Sequence, residues 1–161
     1  VPYLLSFFAP LIGRWGLPAG RHLVFFLLLV VKLSDTGAYV VGCTFGRHKL
    51  LPQISPLKTW EGWVGGMLTG LAAGVACLAL WGWKIGTELS FHWVDAIVLS
   101  LLLGAAGSIG DLIESLFKRT AGVKDSSRML LGLGGLLDVL DSVLFATPIL
   151  YLYLRLRCGV S

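Results

Sequence analysis

Acidic side chains inside apolar stretches are the first residues of this sequence that could do chemistry. Asp111 and Glu114 stand at i, i+3, and Ser108, Ser115 and Lys118 share their helical stripe. Asp138 and Asp141 repeat that spacing, and so do Lys32 and Asp35, with Tyr39 one turn further on. An ionised Asp or Lys near the middle of a membrane-spanning helix costs about 2.5–3.5 kcal/mol on insertion scales, so such residues persist where they pair or line a polar cavity. For Lys32 and Asp35, a neutralising salt bridge explains their presence as well as a cavity does. Asp111, Asp138 and Asp141 have too few neighbouring bases to pair them all, and they would repel unless a cation sat among them. Mg²⁺ favours carboxylates together with substrate phosphates, which makes these three the candidate metal ligands.

The second chemical feature is cationic. Lys118, Arg119, Lys124 and Arg128 fall within residues 113–133, together with Ser115, Ser126 and Ser127. Gly132, Gly134 and Gly135 follow just ahead of a predicted helix start, where backbone amides can approach an anion. The plainer account is a flexible turn with ordinary cytoplasmic lysines. Residues 45–66 (FGRHKLLPQISPLKTWEGWVGG) put Ser55, Lys58, Thr59 and Glu61 where the chain re-enters an apolar run. Pro56 breaks helix and biases Ser55 towards extended backbone. Gly65 and Gly66 permit close helix approach, so the plainer account here is a turn with small-residue packing. His48 and His92 read as interfacial and His22 as a span cap, with no cluster to hold zinc. Cys43, Cys77 and Cys158 are odd in number and widely spaced in apolar settings, which argues against a disulfide.

The elements that must position these groups follow from composition. Of 161 residues, 56% are hydrophobic and 14% charged, with a mean hydropathy of +0.83. A soluble domain carries about 25% charged residues, so water is not the solvent of most of this surface. Spans are predicted at about 22–44, 61–83, 93–112 and 134–154, with Trp60, Trp63, Trp81, Trp83 and Trp93 near their ends as an interfacial belt. Residues 1–13 are apolar but shorter than the roughly 20 residues a crossing helix needs, and they read as the cut end of another span. The expected fold is an all-α, polytopic transmembrane helical bundle of about four complete spans plus a truncated N-terminal one. Residues 1–161 are read as a single membrane domain, the C-terminal part of a larger protein.

Alternating the loops puts Arg47, Lys49, Lys58, Lys118, Arg119, Lys124 and Arg128 on one side, seven against the five of Arg14, Arg21, Lys84, Arg155 and Arg157. The richer side is read as cytoplasmic, so both unusual segments face that compartment. The formal net charge of +4 does not point to nucleic acid.

Two ordered blocks resemble the phosphatidate cytidylyltransferase (CDP-diglyceride synthase) family. The family's C-terminal signature runs Ser-x-x-Lys-Arg, then Lys-Asp, a Gly-rich turn with His-Gly-Gly, and Asp-Arg-x-Asp. Ser115, Lys118, Arg119, Lys124, Asp125, Ser127, Gly134, Gly135, Asp138 and Asp141 stand in that register. Upstream, Asp35-Thr36-Gly37-Ala38-Tyr39, Gly42, Phe45-Gly46-Arg47, Ile54-Ser55-Pro56, Lys58-Thr59, Glu61-Gly62 and Gly65-Gly66 are similar to the family as well. Three positions depart: Leu131 replaces a usual Pro, Leu133 the His of His-Gly-Gly, and Val139 the Arg of Asp-Arg-x-Asp.

The resemblance implies transfer of a cytidylyl group from CTP to phosphatidic acid, giving CDP-diacylglycerol and pyrophosphate. It implies Mg²⁺ between Asp111 and Asp138, with Asp141 as an additional or outer ligand, and it leaves open a second, monovalent cation. Lys118 and Lys124 would be catalytic with those acids, and Arg119 would join them in holding triphosphate or lipid phosphate. Asp125 would orient a lysine or a metal-bound water. Ser55, Lys58 and Thr59 would wall the site from the other loop, Ser115, Gly134 and Gly135 would contact substrate, and Asp35 would line a polar cavity. The implied setting is a bacterial inner membrane with the site facing the cytoplasm, and a homodimer is left open. Other readings stand beside this one. A catalytically degenerate paralogue is motivated by Leu133 and Val139, an ion-coupled transporter by Lys32 and Asp35, and a related lipid phosphate could replace phosphatidic acid.

Overall fold

The computed structural model describes residues 16–52, 55–81, 84–85, 89–90, 92–120 and 134–157. Helix α1 (Gly16–Phe45) leads into strands β1 (Lys49–Leu51) and β2 (Ser55–Thr59), then helix α2 (Trp60–Trp81). Strands β3 (Lys84–Ile85) and β4 (Leu89–Ser90) connect to helix α3 (Trp93–Thr120), and helix α4 (Gly134–Arg157) completes the described elements. Helices α1, α2 and α3 are long and apolar enough to cross a membrane. The 24 residues of α4 rise about 36 Å, which also exceeds a hydrocarbon core of about 30 Å. The four expected complete spans are thus four helices, and the truncated span expected over 1–13 lies outside the described residues.

The core forms where apolar residues recur at helical spacing. Leu23, Leu27, Val30 and Val31 of α1 face Leu99, Leu103 and Ala106 of α3 and Val143, Ala146, Leu150 and Leu154 of α4, all buried. The outward faces stay apolar too: Phe25, Leu68, Leu80, Val94 and Leu102 are exposed, as suits a chain surrounded by lipid.

Helices α1 and α2 cross through small residues. A Cβ added at Gly66 would sit 2.7 Å from the Ser34 carbonyl oxygen and 2.8 Å from Ala38 Cβ. One added at Gly62 would sit 2.7 Å from the Ala38 carbonyl oxygen. Only hydrogen at these positions lets the backbones approach this closely. Thr69 spans the same crossing, its hydroxyl donating to the Leu33 carbonyl at 3.2 Å.

Helices α3 and α4 run antiparallel. Asp95, in the first turn of α3, accepts a hydrogen bond from the Tyr153 hydroxyl at 2.7 Å and from Arg157 Nε at 3.1 Å on Oδ1. Its Oδ2 accepts the His92 amide at 2.9 Å, closing the helix start. Asp95 is buried and paired, at the end of the bundle away from the 45–60 turn.

Two features depart from the expected outline. The third helix runs to Thr120 rather than ending near 112, because residues 113–120 (IESLFKRT) contain no Gly or Pro and favour helix although charged and hydroxyl residues are interspersed among them. Part of the cationic segment is therefore helix rather than turn. The two loops expected at 45–60 and 84–92 also contain short antiparallel hairpins, β1–β2 and β3–β4, which add local β-structure to an otherwise helical bundle.

Candidate active site

The site is built around the β1–β2 hairpin. Helix α1 stops at Phe45, and the Gly46 amide donates back to the Gly42 carbonyl at 3.1 Å. Lys49 then pairs with Thr59 and Leu51 with Ser55, with an irregularity between the pairs. Pro56 lacks an amide hydrogen, which a two-stranded ribbon tolerates at an edge. Thr59 is the N-cap of α2, its hydroxyl accepting the Gly62 amide at 3.1 Å. The Trp60 amide donates to the His48 carbonyl at 3.0 Å. Both Glu61 carboxylate oxygens accept the His48 amide at 3.2 Å, and Oε1 lies 2.6 Å from the ring Nδ1.

This ribbon delivers Lys58 to α3. Lys58 Nζ lies 2.6 Å from Asp111 Oδ2 and donates to the Ser108 carbonyl at 3.4 Å. The side chains of Lys58 and Asp111 are 25% and 43% exposed, so the pair lies at a surface that a solute could reach. On α1, Lys32 Nζ lies 3.6 Å from Asp35 Oδ2. Asp35 is also within electrostatic reach of Asp111 and Lys58. The Lys58–Asp111 pair of β2 and α3 and the Lys32–Asp35 pair of α1 therefore lie within electrostatic reach of each other. Lys58, projecting from the hairpin, offers a hydrogen-bonding ammonium to any phosphate near Asp111.

The remaining expected residues fall into three groups. Ser115 is half-buried on α3 and donates to the Asp111 carbonyl at 2.8 Å, so its hydroxyl stays on its own helix. Thr59 is buried, and its capping role bears on the site by fixing the residue after Lys58. Ser55 is half-buried in β2, and Arg119 is exposed at the end of α3. Lys118 belongs to α3, and Gly134, Gly135, Asp138 and Asp141 belong to the first turns of α4, by backbone alone. Lys124, Asp125, Ser126, Ser127, Arg128, Leu131 and Leu133 lie outside the described residues.

The register of α4 on α3 still bears on Asp138 and Asp141. A Cβ added at Gly107 would meet Ser142 at 3.9 Å, and one at Gly110 would meet Phe145 at 2.8 Å. With Asp95 opposite Tyr153 and Arg157, these contacts bring the backbone of Asp138 and Asp141 close to the level of Asp111. Among the described residues, no group of three or more His, Cys, Asp or Glu side chains is gathered to hold a metal. Of the three acids expected to hold Mg²⁺, Asp111 is the one whose side chain is described, and its carboxylate faces Lys58.

Sequence reasoning did not anticipate the Glu61–His48 pair or the Asp95–Tyr153–Arg157 cluster. Thirteen residues separate Glu61 from His48, and no periodicity links them; only the hairpin does. Asp95 did carry a signal, an acid three residues after His92 at a helix start, the pattern of a capping box.

The geometry defines an integral membrane helical bundle with a lysine–carboxylate cluster at one end of its spans. Residues 3–157 match the cytidylyltransferase family, and the chain belongs to that family. It is 44% identical over 135 residues to a phosphatidate cytidylyltransferase of Staphylococcus saprophyticus, covering 84% of this chain and 50% of that protein. The corresponding proteins of Staphylococcus haemolyticus and Staphylococcus aureus strain COL are 42% and 43% identical over the same shares. The chain thus spans about half the length of the curated relatives it matches.

Proposed function

We propose that this protein, in its full-length form, transfers a cytidylyl group from CTP to phosphatidic acid, giving CDP-diacylglycerol and pyrophosphate. The observation that carries this reading is the 2.6 Å contact between Lys58 and Asp111, which joins the two sequence blocks at one end of the bundle. The names of the 42–44% identical relatives point to the same chemistry.

In the proposed reaction an oxygen of the lipid phosphate bonds to the α-phosphorus of CTP, and the bond from that phosphorus to the bridging oxygen of the β-phosphate breaks. The electron pair leaves with pyrophosphate. The nucleophile is already an anion, so the residues need only bring two anions together and stabilise charge. Lys58 would do this from the hairpin, and Lys118, Arg119 and Lys124 from the end of α3 and the segment after it. Asp111, Asp138 and Asp141 would hold Mg²⁺, which supplies charge neutralisation on the phosphates. Asp35, paired with Lys32, would keep a polar wall on α1. The diacyl tails would remain in the bilayer. The excess of Lys and Arg on the site's side supports a cytoplasmic orientation in a bacterial inner membrane.

The test is CTP- and Mg²⁺-dependent formation of CDP-diacylglycerol from phosphatidic acid by the full-length protein in detergent micelles, beside an active staphylococcal relative. Turnover supports the reading. No turnover favours a second one, a degenerate paralogue, motivated by Leu133 and Val139 in place of polar family residues. In that case Leu133→His with Val139→Arg should restore activity.

A further inference from the structure

We infer that Glu61 is a positioning residue for Lys58, acting through a clasp on His48; the catalytic part of this inference rests on the function proposed above. An isolated two-stranded ribbon is marginal in water, so something must hold β1–β2 if Lys58 is to meet Asp111 reliably. The base of the ribbon is tied from two sides. On one side, Thr59, the residue after Lys58, is buried, caps α2, and fills the space that side chains at Gly42 and Gly62 would take. On the other, Glu61 reaches back from the first turn of α2 to the residue preceding β1, and both its oxygens receive the His48 amide.

A carboxylate in the first turn of a helix ordinarily serves its own helix's free amides. Here it serves the incoming strand as well: besides its own amide, the Glu61 carboxylate receives the His48 amide on both oxygens. The clasp also has little to offer fold stability, because the His48 side chain is 79% exposed and exposed ion pairs contribute little. What the clasp fixes is geometry. His48 is bonded to Glu61 and, through its carbonyl, to Trp60; Lys49 pairs with Thr59 across the ribbon; Lys58 therefore leaves the strand from a backbone held on both edges. A displacement of about 1 Å at a charged contact to the reacting groups can cost about 10²-fold in rate.

The experiment uses the full-length protein in micelles and has two arms. Hydrogen exchange followed on a peptide covering β1 reads the clasp directly and needs no activity. Glu61→Ala should speed exchange at the His48 amide about tenfold or more, and Glu61→Gln, which keeps one acceptor, should speed it less. The kinetic arm compares Glu61→Ala, Lys58→Met and the double variant. Glu61→Ala should lower kcat about tenfold while the KM for CTP changes less than about twofold, and Glu61→Gln should recover most of that loss. In the Lys58→Met background, Glu61→Ala should add less than about a further twofold. Unchanged exchange in Glu61→Ala, or losses that multiply in the double variant, would overturn the inference. A wild-type protein that exchanges as expected but never turns over would sink the proposed reaction and leave the clasp standing.

Discussion

Lys58 and Asp111 come from segments whose chemistry was visible separately, one as a Lys-Thr pair after a proline and the other as an acid within an apolar run. Their pairing is a property of the folded chain, because 50 residues separate Lys58 from its neighbour Ser108. Both side chains are part-exposed, so their ion pair adds little to stability and its value lies in charge placement. Asp111→Asn in the full-length protein should lower CDP-diacylglycerol formation by about 10²–10³-fold, the scale of losing a preorganised charge at a reacting phosphate. Lys58→Met should cost about 10–10²-fold, with the thermal midpoint in detergent shifting by less than about 2 °C in either variant. A wild-type rate in Asp111→Asn would remove that residue from the site.

The helices were legible because membrane solvent imposes a simple pattern. Long apolar runs mark the spans, tryptophans flank the second and third of them, and the paired glycines Gly65 and Gly66 signal a close helix approach, which is the α1–α2 crossing. The end of α3 was less legible because apolarity measures where lipid stops, not where a helix stops. The apolar span itself reaches Phe117, and helix-forming side chains carry the helix on to Thr120, taking Lys118 beyond the span. The β1–β2 ribbon was half legible. Pro56 argued for extended backbone around Ser55, but strand pairing depends on contacts between Lys49 and Thr59 that no local pattern encodes. The crossing makes a firm prediction. Gly66→Leu pushes a side chain into the Ser34 carbonyl and Ala38, and should destabilise the protein by about 1–3 kcal/mol. A fall in thermal midpoint without aggregation would show this, and an unchanged midpoint would mean the helices can separate there freely.

At the scale of the whole molecule, the bundle has two unlike ends. Lys58, Asp111 and Asp35 mark one, and Asp95, Tyr153 and Arg157 mark the other. The two are separated along α3 by the 16 residues from Asp95 to Asp111, about 24 Å of helix. This polarity fixes an orientation test. In a background with Cys43, Cys77 and Cys158 and any further cysteines of the full-length protein replaced by Ser, Leu57→Cys should react with an impermeant maleimide only from the cytoplasmic side. Leu156→Cys, on an exposed position of α4, should react only from the other side. The reverse pattern would place the lysine-rich end outside the cytoplasm.

The Asp95 cluster also has a consequence in time. Asp95 precedes Tyr153 by 58 residues and Arg157 by 62. At about 5–20 residues per second, the ribosome makes the two groups that neutralise this carboxylate about 3–12 seconds after the carboxylate itself. During that interval the Asp95 carboxylate lacks the Tyr153 and Arg157 partners it has in the folded chain. A nascent chain stopped after Leu152 never receives its partners, and membrane quality-control proteases should clear it faster than the full-length chain in a pulse-chase experiment. Asp95→Asn in the truncated chain should lengthen its half-life, because the anion that marks the unfinished product is gone. The last turn of α4 would then act as a completion signal for its own synthesis.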